Sequence, residues 1–131
     1  MLAKQPPGVH GEYATWSHAS DEEILTQLEQ SQEYVIRLRA PAQYGDRRTY
    51  SDIIRGDVTT QAPFVDMVLL KGDRFPTYHL AHLVDDRLMG TTHVIRGDEW
   101  MASVPLHTAL FESVGLKPPM YGHIAPLLKS E

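Results

Sequence analysis

A chain of 131 residues, 42% hydrophobic and 22% charged, has room for about one domain with a modest core, far less than a multi-step ligase usually needs. No apolar run approaches the roughly 20 residues that cross a bilayer, and the opening Met1-Leu2-Ala3-Lys4-Gln5-Pro6-Pro7-Gly8 resembles neither a secretory signal nor a transit peptide, so a cytoplasmic protein with no membrane partner is expected. Zero cysteines exclude disulfides and thiolate metal sites, making structural zinc unexpected, and a net charge of −5 leaves nucleic acid only a local basic patch to meet.

Residues 1–19, rich in Gly, Pro and small polar residues without an apolar period, read as a flexible lead-in. Ser20-Asp21-Glu22-Glu23 fits a capping box that opens a helix ending near Gln30 or Ser31, with Ile24, Leu25 and Leu28 on one short apolar face. The β-branched run Tyr34 to Arg39 and a similar run from Thr49 to Arg55, separated by the Gly45-Asp46 turn, are predicted to pair as a hairpin. Phe64 to Leu70 is the most buried-looking strand, closed by the Lys71-Gly72-Asp73 turn. A helix follows from Thr77 or Tyr78 to Met89, with Pro76 at its start and Gly90 at its end. His93-Val94-Ile95-Arg96 is a strand ending at Gly97, and Asp98 can cap a helix running to about Val114 and stopping at Gly115. Strand, helix, strand, helix predicts a parallel α/β layer over residues 64–131, preceded by a small mixed α+β insertion over 20–63.

Three groups of residues can carry chemistry. Tyr78, His82 and Asp85 lie three or four apart and share a helix face, where a phenol, an imidazole and a carboxylate line a site or, as such common spacing more often means, form an ordinary amphipathic surface. His79 and His82 with Asp85 or Asp86 are too loosely spaced for a convincing metal site, and His10, His18, His93, His107 and His123 follow no pattern and read mostly as surface histidines. Arg96-Gly97-Asp98-Glu99-Trp100 stands where a strand opens into a helix, the edge at which open α/β sheets gather ligands. Arg96 can clamp a carboxylate and Glu99 can accept from ribose hydroxyls; alternatively Asp98 and Glu99 merely complement the helix dipole. Arg47-Arg48, followed by Arg55, can touch phosphates around a turn, or be solvated beside Asp46, Asp52 and Asp57.

The stretch Phe75-Pro76-Thr77-Tyr78-His79-Leu80-Ala81-His82-Leu83-Val84-Asp85-Asp86, followed by Met89-Gly90-Thr91-Thr92-His93-Val94-Ile95-Arg96-Gly97-Asp98-Glu99-Trp100, resembles the class I glutamyl-tRNA synthetases of bacterial type. Asp52-Ile53-Ile54-Arg55-Gly56 and Tyr121-Gly122-His123-Ile124-Ala125-Pro126-Leu127-Leu128 extend the likeness over about residues 34–128. The segment after Thr92-His93 sets this sequence apart from glutaminyl and archaeal types, and Trp100 from the shorter tRNA-queuosine-modifying relative.

The resemblance implies a Rossmann-like α/β catalytic domain with a connective insertion that meets the tRNA acceptor end. It implies an ATP-dependent glutamate-tRNA ligase whose partners are tRNA(Glu), L-glutamate and ATP with Mg²⁺, working as a monomer. It places Tyr78, His82 and Arg96 at glutamate, with Arg96 on a substrate carboxylate, and Glu99, Leu127 and Leu128 at ATP; the basic turn itself makes Arg47 and Arg48 the candidate tRNA contacts. Position 82 is often Asn in this family; His82 keeps hydrogen-bonding ability with a different shape. The sequence reads as an internal fragment, without the His-Ile-Gly-His type segment and ending before the Lys-Leu-Ser-Lys-Arg type loop, so the chain alone is expected to be inactive. A non-catalytic acceptor-stem-binding module and an inactive truncation product are the alternatives.

Overall fold

The structure, a computed structural model, describes residues 14–30 and 33–126. In chain order it contains a 3₁₀ turn at Thr15–His18, α1 (Asp21–Gln30), β1 (Ile36–Leu38), β2 (Arg47–Asp52), β3 (Gly56–Gln61), β4 (Met67–Leu70), α2 (Tyr78–Met89), β5 (His93–Gly97), a 3₁₀ segment at Asp98–Ser103, α3 (Val104–Ser113) and β6 (Met120–Ile124). Residues 1–13 of the expected lead-in lie outside the described residues; the rest of it is built into the fold, with Ala14 buried and Arg39 donating to the Ser17 carbonyl.

Four strands form one sheet in the order β3-β2-β6-β5, and β1 pairs separately with β4. The predicted hairpin is therefore corrected: β2 turns back onto β3, while β1 runs antiparallel to β4. The turn responsible is Asp52 to Gly56, where the Asp52 carboxylate accepts the Ile54 and Arg55 amides and Gly56 supplies φ +75°. β3 was hidden in the sequence by its polar composition, Gly-Asp-Val-Thr-Thr-Gln. β5 and β6 are parallel and joined through α3, as a βαβ unit requires, and β2 joins β6 through the single parallel pair Asp52↔Tyr121. β4 stands outside this parallel layer. Both sheets thus join strands from either side of residue 63.

Local signals set most helix ends. Ser20 and Glu23 form the reciprocal capping box, the Ser20 amide donating to Glu23 Oε2 at 2.8 Å and the Glu23 amide to Ser20 Oγ at 3.3 Å. α2 ends where Gly90 takes φ +67° and donates its amide to the Asp86 carbonyl. The helix expected from Asp98 is split, with six residues of 3₁₀ geometry before α3 begins beside Pro105. Proline lacks the amide that a continuous α-helix would need at this position, so the register restarts there.

The apolar core is Leu69, Leu83, Leu110 and Phe111, flanked by Leu38, Leu80 and Leu116. α3 lies deepest, burying seven of its ten residues, whereas α1 buries none and leaves Leu25 61% exposed. The apolar face foreseen for α1 is present in the sequence, with Ile24 half-buried and none of the helix residues fully buried.

Candidate functional site

Side chains alternate along a strand, so β5, β6 and β2 send Arg96, Tyr121, His123, Tyr50 and Asp52 toward α2 and α3. Register places Arg96 beside His123 and Asp52 beside Tyr121. These strand residues and two helix histidines make a continuous hydrogen-bonded chain. Asp52 Oδ2 lies 2.5 Å from His123 Nδ1; Arg96 Nε donates to His123 Nε2 at 3.1 Å; Arg96 Nη1 lies 3.2 Å from His107 Nδ1; and His107 Nε2 lies 2.9 Å from His79 Nδ1.

Because a guanidinium only donates and a carboxylate only accepts, the proton positions along this chain follow. His123 accepts at Nε2, so its proton sits on Nδ1 and is donated to Asp52. His107 accepts at Nδ1, so its proton sits on Nε2 and is donated to His79. Burial pulls the Asp52 carboxyl up, but the His123 ring and the amides of Arg55, Ile54 and His123 outweigh it and hold the group at about 2. Burial first, then His82, Arg96 and His79, push His107 down to about 2, and burial followed by Arg96 lowers His79. Accepting from Arg96 at one nitrogen leaves the His123 and His107 rings a single ring proton each.

Arg96 is also held by the Trp100 carbonyl, to which Nη2 donates at 3.3 Å, and its guanidinium carbon lies 5.1 Å from the Tyr121 ring centroid and 5.7 Å from that of Trp100. Of its five N–H groups, three are engaged by Nε, Nη1 and Nη2. One N–H on each terminal nitrogen is without a partner among the described residues and can donate to an acceptor such as a carboxylate.

Beside Arg96, α2 presents Tyr78, 47% exposed, with its ring 4.5 Å from that of Trp100 and stacked on His82 at 5.9 Å and 7°. His82 itself is buried. Its Nε2 meets the Tyr121 hydroxyl at 3.1 Å and its Nδ1 lies 2.5 Å from Asp86. Both ring nitrogens are thus turned to the protein, and the ring face is what supports Tyr78. Burial lowers His82, against the pull of Asp86, while Arg96 and His79 add to the lowering. Asp86, one position after the Asp85 expected on this face, is the carboxylate beside His82; Asp85 is exposed. With His79 turned to His107 and His82 to Tyr121, the two imidazoles do not share an ion.

Glu99 is exposed and folds back over Gly97, its carboxylate so close that a Cβ at Gly97 would meet Oε2 at 2.1 Å. Asp98 pairs with Arg55 at 2.5 Å, and Arg55 Nε also donates to the His123 carbonyl. This ties the β2–β3 turn to the end of β5. Arg47 donates to the Thr59 carbonyl, while Arg48 grips both oxygens of Glu112 at 2.8 and 2.9 Å. Leu127 and Leu128 lie outside the described residues.

The structure therefore brings Tyr78, His82 and Arg96 together and leaves Arg47 and Arg48 on a separate part of β2. Reasoning on spacing missed Asp52, His107, His123 and Tyr121. His107 and His123, expected at the surface, are fully buried, a correction with a definite signal. Each stands at an inward position of an otherwise apolar element, where a polar residue needs a partner.

Comparison with known proteins agrees with this picture. The family model for tRNA synthetases class I (E and Q), catalytic domain, matches residues 9–131. A glutamate–tRNA ligase of Clostridium beijerinckii is 44% identical over 128 residues, covering 98% of this chain and 23% of that protein. One from Sorangium cellulosum is 45% identical over 129 residues, covering 98% and 23%. The crystal structure of a glutamate tRNA ligase from Elizabethkingia meningosepticum in complex with its amino acid superposes with a TM-score of 0.79 at 36% identity, over 95% of this chain and 26% of that one. The chain spans about a quarter of the length of the curated relatives it matches. A class I α/β sheet, the matched motifs and a family match over nearly its whole length agree, and the chain belongs to the class I tRNA synthetases of the E and Q type, within their catalytic domain.

Proposed function

We propose that this chain is part of a cytoplasmic glutamate–tRNA ligase and supplies one side of its amino-acid and ATP pocket. The observation that carries this reading is Arg96, held on three sides with two N–H groups left beside the half-exposed ring of Tyr78. A carboxylate fits that fork, and the glutamate substrate carries two. In this reading Tyr78 walls the amino acid, His82 supports Tyr78 from behind, Glu99 reaches the ribose of ATP, and Leu127 and Leu128 face the adenine. Residues 20–63 serve as part of the connective insertion toward the acceptor end. Arg47 is the better cation for tRNA phosphate, since the charge of Arg48 is matched by Glu112.

The reaction has two steps. A glutamate α-carboxylate oxygen attacks the α-phosphorus of ATP, forming glutamyl-adenylate and releasing pyrophosphate. A hydroxyl of the terminal adenosine of tRNA then attacks the acyl carbon, and AMP leaves. The chain's own part is positioning and charge complementarity at the carboxylate. Mg²⁺ enters with the ATP phosphates as part of the substrate; among the described residues no three His, Asp or Glu side chains converge as a ligand set for it.

Calorimetric titration of the chain with L-glutamate and L-glutamine tests the assignment. L-Glutamate binding that Arg96→Ala removes, with L-glutamine bound more weakly, is the expected result; equal affinity in the Arg96→Ala variant overturns it. Because the chain spans only a quarter of its relatives, it is expected not to glutamylate tRNA by itself, and robust glutamylation would refute that.

A further inference from the structure

Asp52, His123 and His107 have no place in the reaction as set out above, yet they are among the most buried polar residues described, at 2%, 0% and 0% exposure. Burying such groups is costly unless they are fully paired, and apolar residues of the same shape would fill the space as well. Stability therefore does not explain them. His123 and His107 each bond Arg96, and Asp52 reaches it through His123. We propose that Asp52, His123 and His107 are positioning residues that hold the Arg96 guanidinium in a single plane, with its two remaining N–H groups presented to a substrate carboxylate. This rests on the reading of Arg96 as the carboxylate clamp.

The direction of the chain comes from its Asp52 end. Oδ1 of Asp52 accepts the amides of Ile54, Arg55 and His123, at 2.9, 2.9 and 3.3 Å, so the carboxylate has no freedom to rotate. Oδ2 is left to face His123 Nδ1, which must then carry the proton, and Nε2 is free to accept from Arg96. On the other side, His107 gives Arg96 a second acceptor and passes its own proton to His79. A guanidinium fixed at Nε and Nη1 by two buried rings cannot turn about its last bond. A substrate carboxylate then meets donors already oriented, without the entropy cost of ordering a free arginine.

Asp52→Asn separates this role from a structural one. Asparagine is isosteric and its Oδ1 still accepts the three turn amides. Its amide nitrogen then replaces Oδ2, donates to His123 Nδ1 and forces the ring proton onto Nε2, where it confronts the Arg96 Nε–H. A merely structural Asp52 would tolerate this exchange.

The experiment is nitrogen-15 NMR of the 131-residue chain, reading the ring tautomers and the Arg96 Nε–H resonance, with L-glutamate titrations alongside. The expected wild-type result is a proton on Nδ1 of His123 and on Nε2 of His107. Asp52→Asn should move the His123 proton to Nε2, shift or broaden the Arg96 resonance and weaken L-glutamate binding about tenfold, the loss expected for one hydrogen bond to a charged group. His107→Asn, whose Oδ1 mimics Nδ1, should preserve the Arg96 signal that His107→Leu loses, and this pair decides the matter if Asp52→Asn does not fold. A wild-type His123 protonated on Nε2, or an Arg96 resonance indifferent to all these variants, overturns the proposal. If the tautomers and the Arg96 resonance respond as stated but wild type does not bind L-glutamate, positioning stands and the carboxylate assignment falls.

Discussion

The two faces of the β5–β6 sheet invert the usual polarity. The face turned to α2 and α3 is buried yet carries Arg96, Tyr121 and His123, with Asp52 at the adjoining strand, whereas the opposite face displays Ile95, Met120 and Ile124, between 42% and 52% exposed, with Ile53 and Ile54 from the β2–β3 turn alongside. Ordinarily the apolar face is the covered one, and parallel sheets are covered on both. Among the described residues helices cover only the polar face. What the difference teaches is that burial on the inner side is not there to hide hydrocarbon. It surrounds Arg96 with fixed dipoles, a use of buried polar groups that makes sense at a ligand site and carries a cost elsewhere.

The strongest way to break this comparison is His123→Leu, which keeps the volume but leaves the Asp52 carboxylate buried without its ring partner. A loss of about 3–5 kcal/mol is expected from urea unfolding followed by tryptophan fluorescence, and a loss under 1 kcal/mol would mean the inner face is not energetically polar. Acid sharpens the same point. His107 is held down to about 2 from an ordinary 6.5, so between those values the unfolded chain binds more protons and stability falls as pH drops below 6.5. The slope should be about 1.4 kcal/mol per pH unit from that group alone, with His79 and His82 adding in the same direction. Asp52, lowered from 3.8 to about 2, adds a further loss only below 3.8. Unfolding curves at stepped pH check both windows, and in His107→Leu the slope below 6.5 should shrink by about 1.4 kcal/mol per pH unit, leaving the share of His79 and His82.

Smaller effects belong to the outer face. A Cβ at Gly122 would meet Ile53 Cγ1, Ile95 Cδ1 and Ile54 Cδ1 at 2.8, 2.9 and 3.1 Å, the last two being side-chain tips, and all three side chains are half-exposed and have room to rotate aside. Gly122→Ala should therefore cost less than about 1 kcal/mol by thermal unfolding, and a larger loss would show the face to be tightly packed. Ile95→Thr should change stability by no more than about 0.5 kcal/mol.

What the sequence determined by itself was local. The Ser20 capping box, the span of α2 with its Gly90 stop, the extent of β5, the Gly115 stop after α3 and the Arg96-to-Trp100 cluster were all legible, because each depends on a few neighbouring residues and on backbone preferences that act at once. Resemblance added the family, since long motifs survive where composition says nothing. Tertiary structure alone decided that β2 pairs with β3 rather than β1, that His107 and His123 are buried, and that Asp52, 71 residues before His123, is its partner. Strand pairing and burial are settled by contacts between distant segments, and a histidine has the same local preferences whether it faces water or a carboxylate.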